Sequence, residues 1–114
     1  MNQQKKYCLA LDLKNDPQII QTYIDYHKNV WPGIYKSIKD SGIKNLEIFH
    51  THDRLFMVIE CNDNFSFEKK AKMDSKNPLV KEWEELMWKY QQALPNTKPG
   101  IKWVLMDKIF DLNE

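Results

Sequence analysis

The chain has 114 residues, which is enough for one domain with a buried core and too few for two. Its 17 lysines and arginines stand against 16 acidic residues, so the formal net charge is +1. Such a balance gives no strong field to hold nucleic acid or an anionic membrane surface. No apolar run approaches the roughly 20 residues that span a bilayer. We expect one domain over residues 1–114, with neither nucleic acid nor membrane as a partner.

The two cysteines, Cys8 and Cys61, each lie inside an apolar segment and lack the close spacing of metal or redox pairs. We interpret both as buried, reduced thiols. The polar, basic start from Met1 to Lys6 is followed by a short apolar stretch that contains Asp12 and has no small-residue cleavage site. No leader peptide is therefore predicted, and we expect a cytoplasmic protein.

The first third of the chain predicts a strand and then an interrupted helix. Tyr7 to Leu13 alternates apolar residues with a second face, which is strand periodicity. Asp16 before Pro17 is typical of a helix start, since aspartate accepts an orphan N–H and proline is tolerated at the first position. Apolar residues then recur every three or four positions as far as Ile38, before Gly42 ends the helix. Pro32 predicts a kink or break near Trp31.

The rest of the chain predicts a hairpin, two helices and a last strand. Ile43 to Phe49 and Arg54 to Cys61 are apolar runs joined by a short turn at residues 51–53. Asn64 to Met73 indicates a short helix. Asn77 before Pro78 begins another, whose apolar stripe consists of Leu79, Trp83, Leu86, Met87 and Tyr90. After a turn-rich segment from Pro95 to Gly100, Lys102 to Met106 alternates as a strand.

This order, β-α-β-β-α-β, predicts an α+β fold of the ferredoxin-like split βαβ type, a sandwich of the dimeric α/β barrel kind. Helices would cover one face of a four-stranded sheet and leave the other open. Apolar residues on that open face would expose more apolar surface than a monomer tolerates. The residues expected there are Leu9, Ile48, Met57 and Trp103. A second copy, or an internal ligand cavity lined by the helices, would cover them. We expect a homodimer.

His27 is the strongest candidate for chemistry. It lies on the apolar side of the predicted helix, with Tyr23 one turn before it and Trp31 one turn after it. Imidazole can take and give a proton near neutral pH, so this position suits a catalytic group. The competing interpretation is a core histidine with one satisfied nitrogen, among aromatic residues that are there for packing.

Several motifs occur in one order and spacing: Tyr23-x-x-x-His27-x-x-x-Trp31-Pro32, Gly42-x-x-Asn45, Leu55-Phe56-Met57-Val58-Ile59-Glu60, Trp83-x-x-x-Met87 and Leu94-Pro95. Taken together they resemble the L-rhamnose mutarotase family, and the resemblance runs from about Tyr7 to Leu112. From Glu82 onward the sequence is more similar to a branch described as L-fucose mutarotase-like. Both sugars are 6-deoxy-L-hexoses.

The resemblance implies a cofactor-free, metal-free epimerase that interconverts the α and β anomers of a free aldose, with a ferredoxin-like fold and a dimer. It implies that His27 is the proton donor and that Tyr23 contacts the sugar with a pair of tryptophans. The first of these tryptophans matches Trp83, whereas the second position is Glu84. A further substrate-contacting tyrosine of the family corresponds to Leu46.

The chemistry fits these residue types. Opening a pyranose needs a base for the anomeric hydroxyl proton and an acid for the ring oxygen, and a group with a reference pKa of about 6.5 serves as either. Trp31 and Trp83 would stack on the C–H face of a deoxy sugar. Glu60, near the end of an apolar strand, is the best carboxylate candidate to orient the imidazole or bind a hydroxyl.

The other two histidines do not indicate a metal site, and two other function classes are alternatives to a mutarotase. His50 and His52 flank a hairpin turn and are expected at the surface, and no spacing supplies the three or four ligands of a zinc site. Dimeric ferredoxin-like domains also include small oxygenases and haem-binding proteins that use a histidine ligand. A non-catalytic assembly module that associates through its open sheet face is the third alternative.

Overall fold

A computed structural model describes residues 5–98 and 100–113 of the chain. Its elements, in chain order, are β1 (Lys5–Leu13), α1 (Pro17–Tyr26), α2 (Pro32–Asp40), β2 (Ile43–Thr51), β3 (Arg54–Cys61), α3 (Phe67–Ser75), α4 (Pro78–Trp88), β4 (Gln91–Gln92) and β5 (Val104–Leu105). Four helices accompany one antiparallel sheet, so the predicted α+β, ferredoxin-like class is confirmed. Among the described residues no helix is long and apolar enough to cross a membrane.

The sheet is built around β1 and β3. The main path runs β2-β3-β1-β4, and β5 pairs with β1 on the edge that β4 also uses. The short strand β4 pairs at Asp12 and Leu13, whereas β5 pairs at Leu9 and Ala10. The apolar run of β3 therefore lies between two long neighbours, as expected for a central strand.

The predicted interruption of the first helix is confirmed. The Asp16 carboxylate accepts the N–H groups of Gln18 and Ile19 and caps α1, which ends at Tyr26. The next helix starts only at Pro32, whose ring nitrogen has no hydrogen to continue the ladder. Residues 27–31 therefore connect two separate helices.

Other element boundaries differ from those predicted. The short helix begins at Phe67 rather than near Asn64, because the Ser66 hydroxyl accepts the N–H of Lys69 and caps it there. Only Val104 and Leu105 of the predicted last strand pair in the ladder, and β4 was not predicted. The predicted turn from Pro95 to Gly100 includes Pro99, which lies outside the described residues.

The assignment of four apolar residues to the open face was wrong. Leu9 lies opposite Met57, which lies opposite Ile48, so these side chains share one face of the sheet. That face is the one beneath the helices, and Trp103 also packs against the buried clusters there. The alternation along each strand predicts correctly which residues share a face, but it does not indicate which face the helices cover.

The open face carries a different apolar set. Its members are Cys8, Ala10, Phe49, Phe56 and Val58, which alternate with the helix-facing residues of β1, β2 and β3. Phe49 is 55% exposed. Cys61 is buried on the helix side, as predicted, whereas Cys8 is only partly buried on the open face. The two thiols thus lie on opposite faces of the sheet.

Candidate functional site

A cavity of about 890 Å³ lies between the sheet and the helices. The sheet supplies an apolar floor, and the helices supply the polar and aromatic groups that face it. Residues lining it include Leu9, Ile48, Leu55, Met57 and Ile59 from the strands and Tyr23, His27, Ile34, Trp83 and Met87 from the helices. A mostly apolar pocket with a few polar groups is the usual form of a small-molecule site.

His27 is held at this cavity by the end of α1. Its backbone N–H donates to the carbonyl of Ile24 at 3.0 Å, a tighter turn than the regular helical bond. The carbonyl of Tyr23 accepts instead from the imidazole, with Nδ1 2.8 Å from the oxygen. Because a carbonyl only accepts, Nδ1 carries the hydrogen, and Nε2 of the neutral ring keeps its lone pair. The helix end therefore presents a base.

Electrostatics favour this neutral form. Burial lowers the pKa of His27 below its ordinary value of 6.5, and the hydrogen bond to the Tyr23 carbonyl acts in the opposite direction. Burial prevails, so the imidazole is unprotonated at neutral pH. Its Nε2 is then able to take a proton from a ligand hydroxyl.

Tyr23 lies beside the imidazole, with its ring centroid 4.5 Å from that of His27. The side chain is buried, and its hydroxyl oxygen accepts a hydrogen bond of 3.1 Å from Nε2 of Gln91. Burial raises the pKa of Tyr23 to about 12, against the opposing effect of the Gln91 hydrogen bond. The phenol therefore keeps its hydrogen and is a donor next to the His27 base.

Trp83 forms the aromatic wall of the site. Its ring centroid is 5.8 Å from that of His27, in an edge-to-face arrangement. Trp31 packs edge-to-face on Trp83 at 5.0 Å and does not itself line the cavity. The structure thus brings Tyr23, His27 and Trp83 together around one space and places Trp31 behind them.

Glu60 is not brought to this site. It lies opposite Lys6 on β1 and Asn45 on β2, on the open face of the sheet. Its carboxylate is 3.9 Å from Nζ of Lys6. A side chain on that face cannot orient the imidazole on the other, so the tautomer of His27 is set by the Tyr23 carbonyl instead.

The cavity is also lined by residues outside the predicted set of site residues. Gln91 follows α4 and reaches Tyr23 from 68 positions away, with no periodic signal to reveal it. His50 is exposed, as predicted, yet it lines the cavity as the next helix-facing residue after Ile48 on β2, an alternation that was visible in the sequence. Leu46 and Glu84, where the chain departs from the rhamnose pattern, line it too.

Metal ligation has no support from the residue arrangement. Across residues 5–98 and 100–113, no three His, Cys, Asp or Glu side chains come close enough together to hold an ion. The polar groups of the cavity are instead suited to hydrogen bonding and to proton transfer.

Comparison with known proteins identifies the family. The family model described as L-rhamnose mutarotase matches residues 6–112. An L-fucose mutarotase of Xanthomonas campestris pv. campestris is 38% identical over 112 residues, which is 96% of this chain and 90% of that protein. The resemblance stated from the motifs is confirmed by both.

Solved structures share the fold. The L-rhamnose mutarotase of Formosa agariphila superposes with a TM-score of 0.69 at 20% identity, over 95% of this chain and 98% of that one. Tetracenomycin F2 cyclase from Streptomyces glaucescens, a type-II polyketide cyclase, gives a TM-score of 0.61 at 15% identity over 94% and 95%. The sequence matches extend this likeness beyond the fold: the chain belongs to the L-rhamnose mutarotase family and is an enzyme, a sugar mutarotase.

Proposed function

We propose that the chain interconverts the α and β anomers of a free 6-deoxy-L-hexose, L-rhamnose or L-fucose, at the cavity under α1 and α4, with His27 as the catalytic group. The proposal depends on one observation, the hydrogen bond from His27 Nδ1 to the Tyr23 carbonyl. This bond leaves Nε2 as a base at the cavity. The single mutarotase domain spans residues 1–114.

The proposed reaction moves one proton. His27 Nε2 takes the proton of the anomeric hydroxyl, the C1–O bond to the ring oxygen breaks, and its electron pair stays on that oxygen. The imidazolium then returns the proton to the ring oxygen, which gives the open aldehyde. Closure on the other face of the carbonyl reverses both transfers. Tyr23 donates a hydrogen bond to a sugar oxygen, and Trp83 stacks on the apolar side of the sugar.

We infer L-fucose as the preferred sugar from two observations. Leu46 and Glu84 both line the cavity, and they replace the tyrosine and the second tryptophan that the rhamnose pattern has there. The relative that is 38% identical is named an L-fucose mutarotase. A carboxylate in place of an indole offers hydrogen bonds to hydroxyl groups where the rhamnose pattern has an apolar surface.

Anomer exchange tests the function directly. Saturation-transfer NMR measures it for L-fucose, L-rhamnose, galactose and glucose at equal concentration, with and without the protein. We expect strong acceleration for L-fucose, weaker acceleration for L-rhamnose, and glucose exchange close to the uncatalysed rate. Exchange of both 6-deoxy sugars at the uncatalysed rate would contradict the proposal.

A homodimer is part of the proposal. The open face carries Phe49, Phe56 and Val58, and the end of the chain adds three strongly exposed apolar residues: Ile109 at 95%, Phe110 at 75% and Leu112 at 83%. A second copy packed on this face would remove its phenylalanines and valine from water, and we propose that the apolar residues near the end of the chain also contact that copy. We also place the enzyme in the cytoplasm, a reducing compartment that suits two free thiols on opposite faces of the sheet.

A further inference from the structure

Gln91 lies at the cavity although no part of the proposed reaction uses it. Its backbone pairs with Leu13 of β1, and the residue is buried, with 6% of its surface exposed. A buried amide needs a partner, and Gln91 finds one in Tyr23, 68 residues away, at 3.1 Å from Nε2 to the hydroxyl oxygen. Both residues line the same space as His27.

The direction of this hydrogen bond fixes the phenol hydrogen. An amide nitrogen donates and does not accept, so the Tyr23 oxygen is the acceptor. A hydroxyl has one hydrogen, which must then point away from Gln91. Within the described residues, the structure shows no second hydrogen bond to the Tyr23 hydroxyl. Since Tyr23 lines the cavity, the hydrogen is available to a ligand there.

We propose that Gln91 is a positioning residue, which aims the hydroxyl hydrogen of Tyr23 at the sugar oxygen on which negative charge develops while His27 holds the proton. This inference rests on the proposed function. Two side chains then face the sugar with opposite roles, His27 Nε2 as acceptor and Tyr23 as donor. A donor whose orientation is set in advance costs no reorganisation during the reaction.

Reversing the hydrogen bond is the sharpest test. Gln91→Glu keeps the size of the side chain, but its carboxylate accepts the Tyr23 hydrogen and withdraws it from the sugar. We expect kcat to fall about 10-fold or more, with KM changed much less. Gln91→Met removes the donor without supplying an acceptor and frees the hydroxyl to rotate, so kcat falls about 5-fold. The neighbouring exposed residue on the other face of β4 gives matched controls, Gln92→Glu and Gln92→Met.

A double-mutant cycle separates positioning from support of the fold. In a Tyr23→Phe background there is no hydroxyl to aim, so Gln91→Met should lower kcat no further. A merely structural Gln91 would lower kcat by the same factor in both backgrounds. Thermal unfolding of each variant identifies those that fold, and the methionine variant keeps the test decisive should the buried carboxylate prevent folding.

Two outcomes overturn the inference while leaving the function intact. In the first outcome, both Gln91 variants keep the wild-type kcat while His27→Ala loses exchange. In the second, Gln91→Met lowers kcat by the same factor in the wild-type and in the Tyr23→Phe background. Failure of the proposed function looks different, because His27→Ala would then exchange anomers as fast as the wild-type protein.

Discussion

One backbone carbonyl fixes the imidazole of His27 in the tautomer that the proposed reaction needs. Because α1 stops at Tyr26, the oxygen of Tyr23 has no regular helical partner and takes the Nδ1 hydrogen. The same carbonyl that completes the helix end thus selects the tautomer. The proposed proton transfer needs this type of support, since a ring free to rotate or to change tautomer would offer its lone pair in the wrong direction.

The pH dependence of exchange follows from the lowered pKa of His27. In the proposed reaction the neutral ring is the active form, so kcat/KM should be level near neutrality and fall with acid, with a midpoint below the ordinary value of 6.5. Tyr23, with its pKa near 12, should cause no loss up to pH about 9. Exchange rates from pH 5 to 9, corrected for the uncatalysed reaction, measure this.

Stability should change in the same direction. The unfolded chain binds a proton at His27 at higher pH than the folded chain does, so the free energy of unfolding falls as the pH drops from 6.5 through the folded pKa. The pH profile of kcat/KM also gives the contradicting result. A midpoint of its acid limb above 6.5 would show that the folded protein stabilises the His27 cation, whereas the structure lowers the pKa of His27.

Sequence revealed the residues that lie at helical spacing and missed those brought in from a distance. His27, Tyr23 and Trp31 recur every four positions, so their neighbourhood was readable before the fold was known. Gln91 comes to Tyr23 through a two-residue strand, which has no pattern of its own. The sequence also did not show on which face of the sheet Glu60 lies. Successive residues of a strand point to opposite faces, and Glu60 lies on the open face, away from His27.

At the scale of elements, Gly42 is the residue that turns the chain from α2 into β2. Its φ is +98°, a conformation that L side chains rarely adopt. A Cβ there would lie 3.1 Å from Oδ1 of Asn62, whose own N–H donates to the Gly42 carbonyl. The glycine therefore has both a conformational and a steric reason to be at this position.

Gly42→Ala should lower the free energy of unfolding by about 1–2 kcal/mol, through strain at positive φ and crowding against Asn62. Urea unfolding measures the change. Gly100→Ala is the matched control, because its φ is +87° but no atom lies within 4 Å of the added Cβ. An equal cost at the two positions would remove the steric part of this account, and no cost at Gly42 would contradict it entirely.

Sequence predicted elements well where local signals agree. The caps at Asp16 and Asn77 and the break before Pro32 depend on neighbouring residues, and all three lie where expected. The predicted length of the last strand, Lys102 to Met106, was too great. On the shared edge of β1, β4 pairs with Asp12 and Leu13, so the last strand pairs only at Leu9 and Ala10. Competition for an edge is a tertiary property.

On the scale of the whole molecule, the exposed apolar surface is the outstanding feature. Cavity and open face lie on opposite sides of the same sheet, so a partner on the open face would stabilise the floor of the cavity without blocking it. In the proposed dimer, one face of the sheet would bind the sugar and the other face would contact the second copy.

Val58→Lys tests the proposed dimer. Val58 lies on the central strand of the open face, where a long, charged side chain would hold two apolar surfaces apart, so we expect a monomer by light scattering at micromolar concentration. Gln18→Lys, on the exposed side of α1, adds the same charge and should leave the oligomeric state unchanged. A dimer that persists unchanged in Val58→Lys would place the interface elsewhere.

Anomer exchange of L-fucose by His27→Ala tests whether this one imidazole transfers the proton. We expect a folded protein whose exchange is roughly 100- to 10,000-fold slower than that of the wild-type enzyme. His52→Asn, at the hairpin turn with φ of 52°, removes an imidazole outside the cavity and should keep full activity. Wild-type exchange by a folded His27→Ala variant would contradict the account.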